Sequence, residues 1–228
     1  MEFKGSNLIK LMLLTQCLTV LCNHSPKFDY FYFVQQWPGS YCDTRRPCCY
    51  PSTGKPAANF GIHGLWPQRN DGTYPSNCDH NHHFNSSQIS NITLQLKIEW
   101  PTLSCPSNDG LKFWAHEWEK HGTCSKSKLE HHEYFESALK LKQIANLTQT
   151  LKNAGINPDG RSYPLIKIKE AIKKGTGFTP VIHCNVDKTG KSQIFEVYLC
   201  VNTTGSNFTE CKVFPKSICK PSIVFPIF

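Results

Sequence analysis

The chain has 228 residues, enough for one domain of about 200 residues with a sizeable hydrophobic core. Its 25 lysines and arginines outnumber its 17 acidic residues, for a formal net charge of +8. A basic surface favours polyanions such as nucleic acid, cell-wall polymers or anionic membranes, although a surface that only needs to be soluble is equally compatible. Beyond the first 24 residues no segment is apolar enough to cross a membrane, which excludes an integral membrane protein once those residues are removed.

The first 24 residues predict a secretory signal peptide, which leaves residues 25–228 as one mature domain. Lys4 and Lys10 precede an apolar run from Leu11 to Leu21 that is too short to span a bilayer and ends in small and polar residues. An uncleaved anchor or a core helix is the alternative interpretation. The signal peptide predicts a secreted location, either extracellular or vacuolar.

A strand followed by an irregular segment is predicted at the start of the mature domain. The stretch from Phe28 to Trp37, FDYFYFVQQW, is aromatic and partly alternating, which is typical of a strand that enters the core. The next segment, from Pro38 to Gly61, contains four prolines, three glycines and three cysteines. That composition predicts an irregular segment held by disulfides, and the motif FGIHGLWP that follows is expected to be a loop.

The cysteine count supports an oxidising compartment. Of 12 cysteines, Cys17 and Cys22 lie in the predicted signal peptide, so ten remain, enough for five disulfides in a secreted protein. The adjacent Cys48 and Cys49 must have different partners, but counting alone does not determine the pairing. The chain has no close CxxC pair, which disfavours the alternative of a zinc site.

Four stretches predict helices. Apolar residues recur at helical spacing from Ser87 to Trp100, from Glu130 to Asn153 and from Leu165 to Lys174. A fourth helix is predicted to begin after Gly110 and to stop at Gly122, because glycine accepts the positive φ that often ends a helix. The lysines of the last predicted helix are more typical of a solvated face than of an RNA-binding patch. These lysines are Lys167, Lys169, Lys173 and Lys174.

Short strands dominate the last third of the chain. They are predicted at Val181 to Cys184, Ser192 to Val201, Cys211 to Phe214 and Ser222 to Phe228, joined by turns that contain glycine. Helices and strands in separate runs indicate an α+β fold: a single domain with a central antiparallel sheet packed against several helices and held by disulfides. After the predicted signal peptide, five N-x-[S/T] motifs predict exposed glycosylation sites. Their acceptors are Asn85, Asn91, Asn146, Asn202 and Asn207.

The most unusual motif runs from Phe113 to Cys124, FWAHEWEKHGTC. His116 and His121 are five residues apart, so on a helix they point roughly 140° away from each other, unlike the i, i+4 ligand pairs of zinc helices. We therefore expect no bound metal and no cofactor. The i, i+4 pairs that do exist join His116 to Lys120 and Glu117 to His121, and they form one face that carries an acid, a base and a fixed positive charge.

A second histidine motif, FGIHGLWP, supplies a partner for this helix. His63 lies between Gly61 and Gly64, whose missing side chains would let a phosphate approach, and Trp66 offers a platform for a base or ribose. One imidazole can accept a proton from an attacking hydroxyl, while another donates a proton to the leaving oxygen. RNA carries that hydroxyl beside each phosphodiester, so the motifs favour a ribonuclease. The alternative is a buried structural His63 and a polar surface helix.

FGIHGLWP and FWAHEWEKHGTC resemble the two active-site segments of the ribonuclease T2 family, and FVQQWPGSYC resembles its first strand. The similarity runs from Phe28 to Phe228 and is strongest to the secreted S-like ribonucleases of plants. It implies an endoribonuclease that cleaves single-stranded RNA by transphosphorylation to a 2′,3′-cyclic phosphate, which is hydrolysed more slowly to a 3′-phosphate. The resemblance also implies a monomer whose task is RNA catabolism, with phosphate scavenging or defence as specific roles.

The resemblance assigns roles to residues of this sequence. His121 matches the general base and His63 the general acid. Glu117 and Lys120 match residues that stabilise the pentacoordinate phosphorane, and His116 matches one that binds phosphate. The positions that match base-contacting or ribose-contacting residues are Gln36, Trp66, Thr102, Leu103 and Phe113.

A disulfide pattern is also implied by the resemblance, and it uses all ten mature cysteines. The implied pairs are Cys42–Cys48, Cys49–Cys105, Cys78–Cys124, Cys184–Cys219 and Cys200–Cys211.

Two other functions of the same fold stay open: a pistil self-incompatibility ribonuclease that also recognises a pollen protein, and a storage or defence protein with little need for catalysis. The second would be expected to lack a catalytic histidine, and both histidines are present here.

Overall fold

The computed structural model of the protein describes residues 27–228, so the predicted signal peptide lies outside the described residues. In this part of the chain, no helix has both the length and the apolar character needed to span a bilayer. The structure confirms the predicted fold class, a single α+β domain with a sheet, several helices and five disulfides.

A seven-stranded sheet forms the centre of the domain. Its strands are β1 (Tyr30–Gln36), β2 (Gly61–Gln68), β3 (Ser162–Pro164), β4 (Val181–Val186), β5 (Ser192–Val201), β6 (Phe208–Thr209) and β7 (Ser222–Val224). The order is β2-β1-β5-β7-β3, and β4 and β6 also pair with β5. The pairs are antiparallel as predicted, except that β7 lies parallel to β5.

Helices are packed against one face of this sheet. The α-helices are α1 (Pro38–Cys42), α2 (Thr93–Glu99), α3 (Leu111–Lys120), α4 (His131–Ile144), α5 (Leu147–Asn153) and α6 (Leu165–Thr176). Two 3₁₀ helices, Ser86–Ile92 and Gly122–Ser125, adjoin α2 and α3. The predicted helix from Ser87 to Trp100 is therefore 3₁₀ in its first half.

Two predictions about the N-terminal half are wrong. The motif FGIHGLWP is not a loop but lies in β2, because Ile62 and Leu65 are buried in the core and the strand pairs along β1. The segment from Pro38 to Gly61 is irregular only after its first five residues, which form α1 with Pro38 in its first turn, a position where the missing amide hydrogen costs nothing.

The ends of several other elements also differ from prediction. The single helix expected from Glu130 to Asn153 is two helices, because Asn146 caps α5 by accepting a hydrogen bond from the backbone of Gln149. The strand predicted from Cys211 to Phe214 is absent from the described residues, and the chain pairs with β5 earlier, in β6. The C-terminal strand stops at Val224, because Phe225 instead packs against the rings of Trp37 and Phe60.

Gly122 follows α3 for a different reason from the one predicted. It does not have a positive φ; a Cβ atom at this position would lie 2.3 Å from the ring of Trp118. The residue that does need a positive φ is Gly110, with φ of 92°, at the start of α3. Close packing of the indole, and not backbone conformation, therefore requires glycine after α3.

Alternation along β1 divides the core between the two faces of the sheet. Phe31 and Phe33 point into the large cluster shared with the helices, whereas Tyr30, Tyr32 and Val34 point into a smaller cluster on the opposite face. The smaller cluster also contains Tyr198 and has Trp66 packed against it, so this face carries the aromatic residues nearest the two histidine motifs.

The five disulfides are Cys42–Cys48, Cys49–Cys105, Cys78–Cys124, Cys184–Cys219 and Cys200–Cys211, the pairs that the resemblance implies.

Candidate active site

The two histidine motifs meet where β2 faces α3. His63 lies at an irregularity in the β1–β2 register, opposite Val34 and Gln35. The ring of Phe113, from the first turn of α3, lies 5.9 Å from the His63 ring, between centroids. The irregularity interrupts the regular pairing of β2 at the residue that must face the site. Fold and sequence motif thus place β2 and α3 side by side.

Trp66 connects the two motifs directly. Its indole nitrogen donates a hydrogen bond of 2.7 Å to Oε2 of Glu117 on α3. The same ring is stacked on His121, with centroids 5.2 Å apart and 27° between planes, and meets the edge of His63 at 4.9 Å. One indole therefore touches both imidazoles and the buried carboxylate, which fixes their relative positions.

Gly64 provides the space for this contact. A Cβ atom there would lie 2.0 Å from the indole nitrogen of Trp66 and 2.4 Å from Oε2 of Glu117. The sequence predicts that glycines beside His63 let a phosphate or backbone approach. At Gly64 the groups that approach are the Trp66 indole and the Glu117 carboxylate.

Glu196 on β5 is a site residue that the sequence interpretation did not identify. Its Oε1 atom lies 2.5 Å from Nδ1 of His63, and the hydroxyl of Tyr198 donates a 2.8 Å hydrogen bond to Oε2. The amide of Gln36 donates to Oε1 at 3.3 Å. A carboxylate and a tyrosine two residues apart, on one face of a strand that is otherwise largely apolar, is the sequence signal that could have revealed this pair.

The surroundings of the two catalytic candidates shift their pKa values in opposite directions. Burial by itself would lower the pKa of His63, but the hydrogen bond and negative charge of Glu196 outweigh it and raise that pKa. Burial lowers the pKa of His121 to about 3, and the positive charge of Lys120 acts in the same direction. His63 therefore holds a proton more strongly than an ordinary histidine, while His121 is a neutral imidazole.

The remaining polar residues of α3 surround these two histidines. Burial raises the pKa of the Glu117 carboxyl, against the charge of His63 and the hydrogen bond from Trp66. Burial and the charge of Lys120 lower the pKa of His116. These side chains therefore form one electrostatic cluster with the two histidines.

The predicted base-contacting residues are not all brought together. Phe113 is at the site beside His63, and Gln36 is held against Glu196. Gln36 and Leu103 line one small cleft with a volume of about 40 Å³. Thr102 is buried, and its hydroxyl forms a 2.9 Å hydrogen bond with that of Ser104.

Four of the predicted glycosylation sites lie on the surface. Asn85, Asn91, Asn146 and Asn207 are exposed, whereas Asn202 is half-buried and its side-chain oxygen accepts hydrogen bonds within its own turn.

Within residues 27–228, no group of three or more histidine, cysteine, aspartate or glutamate side chains has an arrangement that could hold a metal ion. The site thus offers acid–base groups and a fixed positive charge as its chemical resources.

Comparison with known proteins gives consistent matches over most of the chain. Residues 28–211 match the model of the Ribonuclease T2 family. The chain is 58% identical over 219 residues to extracellular ribonuclease LE of Solanum lycopersicum, which covers 96% of this chain and 95% of that protein. It is 54% identical over 230 residues to intracellular ribonuclease LX of the same species, covering 100% and 96%. The crystal structure of RNase NT in complex with 5′-AMP matches with a TM-score of 0.86 and 51% identity, covering 89% of this chain and 100% of that one.

Proposed function

The chain belongs to the Ribonuclease T2 family and is an endoribonuclease, and we propose that it cleaves single-stranded RNA with His63 as general acid and His121 as general base. The observation that carries these roles is the opposite shift of the two pKa values around one indole. A general acid must begin protonated and a general base must begin neutral. Environments that separate two titratable groups in this way assign the acid and the base.

In the first chemical step, Nε2 of His121 accepts the proton of a ribose 2′-hydroxyl, because Nδ1 of His121 is buried. The oxygen of that hydroxyl then bonds to the adjacent phosphorus. The bond from phosphorus to the 5′-oxygen of the next nucleotide breaks, and that oxygen takes a proton from His63. The products are a 2′,3′-cyclic phosphate and a free 5′-hydroxyl. In the second step water opens the cyclic phosphate to a 3′-phosphate, and the two histidines exchange roles.

The other α3 side chains suit the charge that builds up on the phosphorus oxygens. Lys120 supplies a fixed positive charge, and its effect on the pKa values of His116 and His121 supports its position beside them. We assign Lys120 and Glu117 to stabilising the phosphorane and His116 to binding phosphate. An anionic phosphate at this place raises the pKa of His121, which makes it a stronger base when substrate is bound.

The residues around His63 indicate where the ribose and the base of the substrate bind. RNase NT is described in complex with 5′-AMP, which supports a nucleotide ligand for this chain. We place the ribose near Trp66 and a base near Phe113 and Gln36, because Trp66 and Phe113 contact His63 and Gln36 is hydrogen-bonded to Glu196, the partner of His63. Leu103 and the backbone of Thr102 are assigned to the wall of the base site, since the Thr102 hydroxyl is already hydrogen-bonded.

The chain is also proposed to be secreted, with an extracellular or vacuolar destination and a role in RNA catabolism. The predicted signal peptide, five N-x-[S/T] motifs and five disulfides support this route. N-terminal sequencing of the mature protein and a mass shift after removal of N-glycans would test it. Pistil-restricted and highly polymorphic expression would contradict the catabolic role and favour self-incompatibility.

Defined dinucleotides test the reaction itself. The protein is expected to produce cyclic phosphates with or without EDTA, and His63→Ala or His121→Ala should lower kcat by about 100-fold to 10,000-fold while the protein remains folded by circular dichroism. His80→Ala is the matched control, because His80 is an exposed histidine on a surface loop. Near-normal turnover of either active-site variant would refute the assignment, and loss of cleavage in EDTA would refute a metal-independent mechanism.

A further inference from the structure

A large open cleft lies beside the active site, and the proposed chemistry does not use it. We define the arginine cleft as two adjoining cavities of about 540 and 520 Å³ that share Thr44, Arg45 and Arg46. Each volume lies within the range of about 300–1,000 Å³ that is typical of ligand sites. Tyr41 and Phe195 line the first cavity, while Tyr50 and Lys188 line the second.

Strand β5 and helix α1 link the arginine cleft to the residues around His63. Phe195 immediately precedes Glu196, the carboxylate hydrogen-bonded to His63. Tyr41 belongs to α1, which directly follows β1 and its Gln36, a second partner of Glu196. The side-chain amide of Asn185 donates a 2.8 Å hydrogen bond to the carbonyl of Ser40, which fixes α1 against the β4–β5 hairpin. An RNA chain that continues from the scissile phosphate toward α1 would therefore meet the cleft.

The positive charges of the cleft are available to a ligand. Arg45 and Arg46 are exposed, and within residues 27–228 no carboxylate forms a salt bridge with either of them or with Lys188. Asp187 is the one acidic residue that lines the first cavity, and its Oδ1 accepts hydrogen bonds from the backbone of Thr189 and Lys191. The Cys42–Cys48 disulfide closes the short loop that carries both arginines.

Cations along a groove with aromatic walls are the arrangement that binds single-stranded nucleic acid, because phosphates pair with the cations and bases stack on the rings. We propose that the arginine cleft binds the RNA chain that flanks the scissile dinucleotide, with phosphates held by Arg45, Arg46 and Lys188. This inference rests on the proposed ribonuclease function. It adds a subsite for polymeric substrate, beyond the residues that act on the cleaved bond.

Substrates of two lengths separate this subsite from the catalytic one. One is a dinucleotide, and the other is an oligonucleotide with a single ribonucleotide flanked by deoxynucleotides, extended on the 5′ or the 3′ side. The variant Arg45→Gln/Arg46→Gln is expected to cleave the dinucleotide normally. On one of the two extended substrates, it should lose most of the increase in kcat/KM over the dinucleotide that the unmodified protein shows. The slope of log kcat/KM against log salt concentration should become shallower by about 1.4 when two phosphate contacts are lost. Between about 50 and 200 mM salt, the drop in kcat/KM of the variant should therefore be about sevenfold smaller than that of the unmodified protein.

The matched control is Lys173→Gln/Lys174→Gln, which removes the same charge from the exposed face of α6. If both double variants lose equally on the long substrate, net charge and not a subsite is responsible, and the inference is wrong. It is equally wrong if extension on neither side improves cleavage by the unmodified protein. If no protein in the set cleaves the dinucleotide, the ribonuclease function fails first, so the two failures can be distinguished.

Discussion

Replacing Glu196 by glutamine is expected to move the alkaline limit of activity to lower pH. The carboxylate holds Nδ1 of His63 at 2.5 Å and raises its pKa against the opposing effect of burial. Glutamine has nearly the same shape and can still accept a hydrogen bond, but it has no charge. In the variant only the charge of Glu117 still opposes burial, so His63 loses its proton at a lower pH and stops acting as a general acid there.

The size of the shift follows from the geometry of the pair. Two unit charges about 4 Å apart interact by about 4 kcal/mol at an effective dielectric of about 20. That is an upper limit, because the His63 side chain is 27% exposed and solvent screens the pair. We expect the alkaline limb of kcat/KM to move down by about one to two pH units.

The assay is a pH profile of kcat/KM on a dinucleotide, together with an NMR titration of the His63 ring. At acidic pH, where His63 is protonated in both proteins, the variant should retain most of the activity. Glu136→Gln is the matched control, since Glu136 forms only a surface ion pair with Lys140. An unchanged alkaline limb, or an equal loss of activity at every pH, would contradict a role of Glu196 in holding the proton on His63.

Three further predictions concern packing, covalent structure and pH. Gly64→Ala should separate Trp66 from Glu117, with a loss of about 100-fold in kcat and of about 1–3 kcal/mol in unfolding free energy, measured by kinetics and denaturant melts. Removal of the Cys78–Cys124 bridge, which spans 46 residues, should lower the unfolding free energy by about 4 kcal/mol, and an unchanged melt would contradict this. Burial lowers the pKa of His131 to about 4, so the stability that depends on the neutral imidazole is lost as pH falls from about 6.5 to about 4. On acidification, the unfolding free energy of His131→Phe should therefore fall by up to about 3 kcal/mol less than that of the unmodified protein, as measured by denaturant melts at two pH values.

Local pattern was sufficient to find both histidine motifs and most secondary structure. His63 and His121 stand out because imidazoles, carboxylates and indoles rarely crowd into short segments without a function. The break between α4 and α5 was missed because helical periodicity continues across it. Only the side-chain cap at Asn146 interrupts it. A cap inside an amphipathic stretch has the same composition as a polar surface position.

Local pattern can mark Glu196 as an unusual residue on a largely apolar strand, but it cannot pair Glu196 with His63, which lies 133 residues away. Its position depends on the register of two strand pairs: β1 places Gln36 opposite both Glu196 on β5 and Gly61 on β2. A shift of one residue in the β1–β5 pair would turn Glu196 to the opposite face of the sheet, and a shift in the β1–β2 pair would do the same to His63. Register is a property of the whole sheet, so the motif predicts the acid but not the carboxylate that holds its proton.

The opposite pKa shifts of His63 and His121 would, with the roles proposed for them, account for the order of rates that the family resemblance implies. In the first step each histidine acts in the protonation state that its surroundings favour. Hydrolysis of the cyclic phosphate requires the reverse, a neutral His63 and a protonated His121, and Glu196 opposes the first of these. The cyclic phosphate should therefore accumulate before it is opened. Glu196→Gln increases the neutral fraction of His63, so we expect it to reduce the ratio of cyclic to linear product during a time course. An unchanged ratio would show that a step other than proton transfer limits hydrolysis.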